Sequence, residues 1–111
     1  MFNQVILIGR IASDPELKES NTGKDYVELN LAIQRPFKNM QNQYETDYIK
    51  VVCWDYLAVN VSEYCKKGNV ISVKGRLQPR TYKKNNETIS TLEVIGDSIV
   101  FIGKPNEKKE D

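Results

Sequence analysis

The side chains available for chemistry are few in kind. The sequence has no histidine, so it lacks the ordinary general base of neutral pH. Gly23-Lys24 is followed by Asp25 rather than Ser or Thr, so this is no phosphate-cradling P-loop. Asp14 and Glu16 flank Pro15. Paired carboxylates can help to hold a divalent metal, as in nucleases, but turns select Asp and Pro for backbone reasons alone, and the turn reading is the stronger. Cys53 and Cys65 match no zinc spacing and read as small buried hydrophobes. No catalytic residue, metal or cofactor is expected. What remains is a set of aromatics interleaved with cations. Arg35 and Lys38 bracket Phe37, Lys50 follows Tyr48, and Arg80, Lys83 and Lys84 surround Tyr82, while Trp54 and Tyr56 lie between these groups. Flat rings stack on unpaired bases of any identity while cations track the phosphates, each stack being worth ~1–3 kcal/mol. The pattern suits a surface for single-stranded nucleic acid, although stacking alone does not distinguish DNA from RNA. Phe37 and Tyr82 sit in polar, basic stretches that poorly suit a core. Trp54 ends a strand and fits a core position as well as a surface one, and Tyr48 can likewise pack inward.

The elements that must position these residues are mostly strands. Val5 to Ala12 is apolar on both faces, and Asp14-Pro15-Glu16 ends it. Asn21-Thr22-Gly23-Lys24 reads as a turn. Val27, Leu29, Leu31 and Ile33 alternate with Glu28 and Asn30, the period of a half-buried strand. Pro36 to Tyr44 reads as a polar loop, and Tyr48 to Trp54 as a third strand rich in β-formers. The period then changes. Asp55 is the expected N-cap of a helix whose apolar face carries Leu57, Ala58, Val61, Tyr64 and Cys65, and Gly68 stops it. Val70 to Leu77 is a fourth strand with a bend at Gly75. Asn85-Asn86 marks a hairpin tip, Thr88 to Val94 a fifth strand, and Ser98 to Ile102 a short terminal one. Consecutive strands without alternating helices argue against a parallel α/β sheet. The order fits an all-β protein with one helix: a five-stranded Greek-key barrel of the OB type, the helix lying between strands 3 and 4.

The totals are compatible with that barrel. The chain has 111 residues, 40% hydrophobic and 28% charged, which suits one domain. Net charge is +1, so bulk charge does not announce a polyanion partner, yet a basic face can exist on a near-neutral protein. No apolar run approaches the ~20 residues that span a bilayer. Met1 to Val5 enters a strand-like pattern at once, unlike a signal peptide, so no membrane partner and a cytoplasmic location are expected. Residues 104–111 are charged and lack an apolar anchor, so they read as a disordered tail behind a domain of residues 1–103.

Several segments carry a resemblance that single residues do not. They are Asn3-Gln4-Val5-Ile6-Leu7-Ile8-Gly9-Arg10, Asp14-Pro15-Glu16-Leu17, Leu31-Ala32-Ile33, Tyr48-Ile49-Lys50-Val51-Val52, Lys67-Gly68-Asn69-Val70 and Lys74-Gly75-Arg76-Leu77. In these segments, and in their order and spacing over residues 1–102, the chain resembles the bacterial single-stranded DNA-binding proteins of the replication type. The resemblance implies base stacking at Phe37, Tyr48, Trp54 and Tyr82. Phosphate contacts are expected from Arg10, Arg35, Lys38, Lys50, Lys74, Arg76, Arg80, Lys83 and Lys84. It also implies a homotetramer with single-stranded DNA wrapped around its outside, serving replication, recombination, repair or DNA uptake at the nucleoid. Two departures qualify it. Only one of the four aromatic positions is tryptophan, so individual stacks are expected to be weaker. The family's main replication members also carry a long tail with an acidic, apolar tip that recruits partner enzymes. This sequence reaches Asp111 with no such tip, so that recruitment is not expected; the chain reads as a short paralogue linked to DNA uptake, a phage or plasmid version, or a truncated form. Two rival readings are a primosomal OB-fold protein that docks a helicase and a nuclease using Asp14 and Glu16.

Overall fold

A computed structural model of the protein describes residues 1–103. In chain order the elements are β1 (Val5–Ile11), β2 (Lys18–Glu19), β3 (Asp25–Lys38), β4 (Tyr44–Trp54), α1 (Asp55–Tyr64), β5 (Val70–Lys84) and β6 (Glu87–Gly103). The strands neighbour one another in the order β1-β5-β6-β4-β3, and β1 also pairs with β3, which closes five strands into a barrel. The two-residue β2 only extends the edge of β3. Strands β4 and β6 run parallel through Val51↔Val94 and Val52↔Ile95; the other pairs are antiparallel. This is the expected Greek-key barrel, with α1 between its third and fourth strands.

Alternation builds the core. Val27, Leu29 and Leu31 of β3 and Val51 and Cys53 of β4 are fully buried, together with Ile11, Ile71 and Val73. Each aliphatic buried in this way contributes ~1.5–3 kcal/mol. The helix lies against β3 and β4 and adds Ala58 and Val61 to the same cluster. Two glycines allow the closure. A Cβ at Gly9 would lie 2.8 Å from the Ile33 side chain and 2.9 Å from the Ala32 carbonyl oxygen, where β1 meets β3. A Cβ at Gly75 would collide with the Ile95 carbonyl oxygen, where the β5–β6 register shifts.

The structure departs from the sequence expectation in several places, among them the fourth strand, which runs past Leu77 to Lys84. Pro36 to Tyr44 is not a loop throughout: β3 runs on to Lys38 and β4 resumes at Tyr44. The tip is organised by Asn39, whose Oδ1 accepts from the Gln41 and Gln43 amides at 2.9 and 3.0 Å. Cross-strand polar pairs hold this arm where apolar periodicity gives no signal. The fifth strand and the short terminal strand are one, β6, since the ladder continues past Ile95-Gly96-Asp97 through a bulge. The N-cap is Trp54, without a side-chain capping bond, and Asp55 is the first helical residue with φ of 59°. Tyr64 points to solvent rather than to the core. The helix ends at Tyr64 with Cys65 as its C-cap, and Gly68 (φ 94°) belongs to the turn beyond. The hairpin tip is as expected: Asn85 and Asn86 both take left-handed φ, as a two-residue type I′ turn requires. The tail expected from residue 104 onward lies outside the described residues.

Candidate nucleic-acid interface

Period-two alternation places Tyr48, Lys50, Val52 and Trp54 on the outer face of β4, because Ile49, Val51 and Cys53 point inward. On β5 the residues Arg76, Gln78, Arg80 and Tyr82 face outward opposite Ile95, Glu93, Thr91 and Ile89 of β6. The β5–β6 hairpin projects beyond the barrel and forms a wall. Between wall and barrel lies a groove lined at one end by Lys50, Val52, Arg80, Tyr82 and Thr91. At the other end it is lined by Tyr26, Glu28, Trp54, Gln78 and Pro79, with the Glu19–Asn21 turn as its rim.

Of the four rings, Tyr82 and Trp54 line this groove, whereas Tyr48 and Phe37 are not among its lining residues. Tyr48 is 72% exposed and Tyr82 41%. Trp54 is half-buried and faces outward. Its ring lies 5.2 Å from that of Tyr26 at 34°, because the register pairs Tyr26 with Trp54. Phe37 is 62% exposed on the β3–β4 arm, beyond the register shift after Gln34. Tyr56, on the solvent side of α1, does not line the groove.

The cations divide into three groups. Arg35 donates to both carboxylate oxygens of Asp47 at 3.0 Å and pairs with Glu45 at 2.9 Å. This bidentate bond raises the Arg35 pKa and holds the Asp47 carboxyl below its ordinary value. Arg80 pairs with Glu93 at 2.9 Å, Arg76 with Asp97, and Lys50 with Glu28 at 3.9 Å. A second group has no carboxylate partner among the described residues: Lys38 lies over the Tyr44 ring at 5.6 Å, Lys84 shares the outward face with Tyr82 at the tip, and Lys83 points to the opposite face of the hairpin. The third group is away from the groove. Arg10 donates to the Gly68 carbonyl at 3.3 Å, and Lys74 stands opposite Ile6 and Ser98 on the outer face of β1, β5 and β6.

Sequence reasoning missed Tyr26, Glu28 and Glu93. The outward period of β3 marks Tyr26 and Glu28 as surface residues, but only the strand register brings them beside Trp54 and Lys50. The Asp14 carboxylate accepts the Lys67 amide at 2.7 Å, tying two turns together. Among the described residues no group of three or more His, Cys, Asp or Glu could hold a metal ion. Both thiols are buried, as expected. Burial pushes Cys53 up to about 12 and raises Cys65 as well.

A closed Greek-key barrel with an aromatic and basic groove beneath a projecting hairpin defines an OB-type oligonucleotide-binding protein. Residues 2–102 match the single-strand binding protein family, and the chain belongs to that family. It is 40% identical, over the full length of both chains, to single-stranded DNA-binding protein B of Bacillus subtilis (strain 168). It is 38% identical to the single-stranded DNA-binding protein of Oceanobacillus iheyensis, over 92% of this chain but 64% of that one. Among solved structures, the Plasmodium falciparum SSB complex with ssDNA superposes with a TM-score of 0.76 at 26% identity, covering 92% of this chain and 96% of that one. The wild-type single-stranded DNA binding protein from Thermus aquaticus gives 0.78 at 30% identity, over 91% of this chain and 50% of that one. The family read from the sequence segments is borne out, as are the barrel and the non-enzymatic class. No helix among the described residues is long and apolar enough to cross a membrane.

Proposed function

We propose that this protein binds and protects single-stranded DNA without reading its sequence, by stacking bases on Tyr48, Trp54, Tyr82 and Phe37. The observation that carries this reading is the groove itself. It sets Trp54 and the β4 outer face against Arg80 and Tyr82 of the projecting hairpin, so rings and cations converge on one track. Duplex bases are stacked on one another and offer no free faces to such rings. The work is non-catalytic: a bound strand cannot fold back on itself and is shielded from nucleases, which serves replication, recombination, repair or DNA uptake. That role places the protein in the cytoplasm with the cell's DNA. Competition between oligo-dT and a blunt duplex of equal length tests the reading; equal affinity for the two overturns it.

The DNA-binding domain is residues 1–103, so a version ending at Gly103 should keep its oligo-dT affinity. The assembly is a homotetramer. Ile6 and Ile8, 63% and 56% exposed on β1, form with Val100 an apolar outer face that supports burial against further copies. Light scattering should give four chains of 12.8 kDa, about 51 kDa in closed symmetry; a stable monomer that still binds DNA contradicts the tetramer.

A further inference from the structure

The groove proposed to receive a polyanion is not lined by positive charge alone. Its charged lining consists of Lys50 and Arg80 against Glu19, Glu28 and Glu93. Two of these acids, Glu93 and Glu28, are engaged with cations. Glu93 Oε2 accepts from the Arg80 guanidinium at 2.9 Å, and the Glu93 side chain is only 25% exposed against 59% for Arg80. Glu28 stands between Lys18 at 3.6 Å and Lys50 at 3.9 Å. Glu93 borders both ends of the groove, directly across the strand pair from Gln78.

We infer that Glu93, seconded by Glu28, is an internal counter-ion that sets the affinity of the groove for phosphate. The inference rests on the proposed function. Free Arg80 would gain the whole attraction of a phosphate. Paired Arg80 gains only the difference between phosphate and the carboxylate already bound, and the displaced carboxylate then repels the strand. The same exchange limits counter-ion release. A phosphate neutralised by a free cation sheds its condensed counter-ion. One neutralised by Arg80 leaves Glu93 unpaired, and Glu93 takes up a cation in return. The groove therefore holds DNA through its rings more than through its charges, and the strand stays exchangeable.

The test compares wild type, Glu93→Gln, Glu28→Gln and Glu63→Gln by oligo-dT titration at several salt concentrations. Glutamine keeps an oxygen that accepts from Arg80, so the hairpin geometry persists while the charge is lost. Glu63 lies on the exposed side of α1, outside the groove, and its change to glutamine alters net charge equally. Glu93→Gln should tighten binding at low salt by about two- to five-fold, the range of one surface ion pair. Its log–log salt slope should steepen by up to about 0.7, one phosphate on a single strand, so the gain fades as salt rises. Glu28→Gln should move in the same direction and gives an independent reading should Glu93→Gln melt early. Glu63→Gln should change neither quantity. Binding by Glu93→Gln and Glu28→Gln that is no tighter than wild type, or an equal gain in Glu63→Gln, overturns the counter-ion role. Wild-type protein that fails to bind oligo-dT overturns the proposed function itself, which separates the two failures.

Discussion

Replacing Trp54 with alanine separates stacking from folding at the residue where the two are most entangled. The ring is half-buried, not core: it faces outward from β4, leans on Tyr26 at 5.2 Å and lines the groove opposite Arg80 and Glu93. Its removal should lower DNA affinity by the worth of one base stack, ~1–3 kcal/mol, which is about 5- to 150-fold. The cost to the fold should be smaller than that of emptying a core site, where Trp→Ala costs ~3–5 kcal/mol. The aromatic pair with Tyr26 accounts for ~0.5–1.5 kcal/mol of it. Trp54 is the single tryptophan, so quenching on titration with oligo-dT reports this ring alone. Trp54→Ala is then measured by anisotropy of labelled oligo-dT, beside its thermal melt. Trp54→Phe keeps a stacking face and should lose less. The reasoning fails if wild-type fluorescence is unchanged by DNA, or if folded Trp54→Ala binds within about two-fold of wild type, well below one stack.

Other perturbations probe the frame around the groove. Gly75→Ala pushes a Cβ into the Ile95 carbonyl and should cost ~1–3 kcal/mol or more, read as a fall in melting temperature; an unchanged melt contradicts the close approach. Asp47 titrates below its ordinary value of 3.8 because Arg35 hydrogen-bonds its ionised form. The folded state therefore holds that proton less tightly than the unfolded chain does. The resulting stabilisation is present above the ordinary value and lost as pH falls through the lower folded one. Carboxyl-carbon NMR should show Asp47 returning toward its ordinary value in Arg35→Met, and no movement would deny the bond. Cys53, raised to about 12 by burial, and Cys65 should resist a disulfide reagent at neutral pH until the protein is unfolded, since the thiolate is the reactive form; prompt reaction of native protein would show an open core.

The sequence by itself determined the class of fold and the types of residue that carry the function. Alternation of Val27, Leu29, Leu31 and Ile33 and the shift to helical spacing after Trp54 are local properties, so they are legible along the chain. Aromatics beside Arg and Lys at residues 35–38 and 80–84 are legible for the same reason. Residues 36–44 misled because the arm is held by Asn39, Arg35 and Asp47 across a turn, and polar pairing leaves no apolar period. Cross-strand register decided what no local pattern contains. It set Tyr26 beside Trp54, turned an ambiguous tryptophan outward, and folded the β5–β6 hairpin over the β4 face to make a groove. It also brought Glu93 to Arg80, Glu28 to Lys50 and Asp47 to Arg35, which turned part of a list of cations into ion pairs. Pair energies depend on distance in space, and residues far apart in sequence acquire that distance only when the barrel closes.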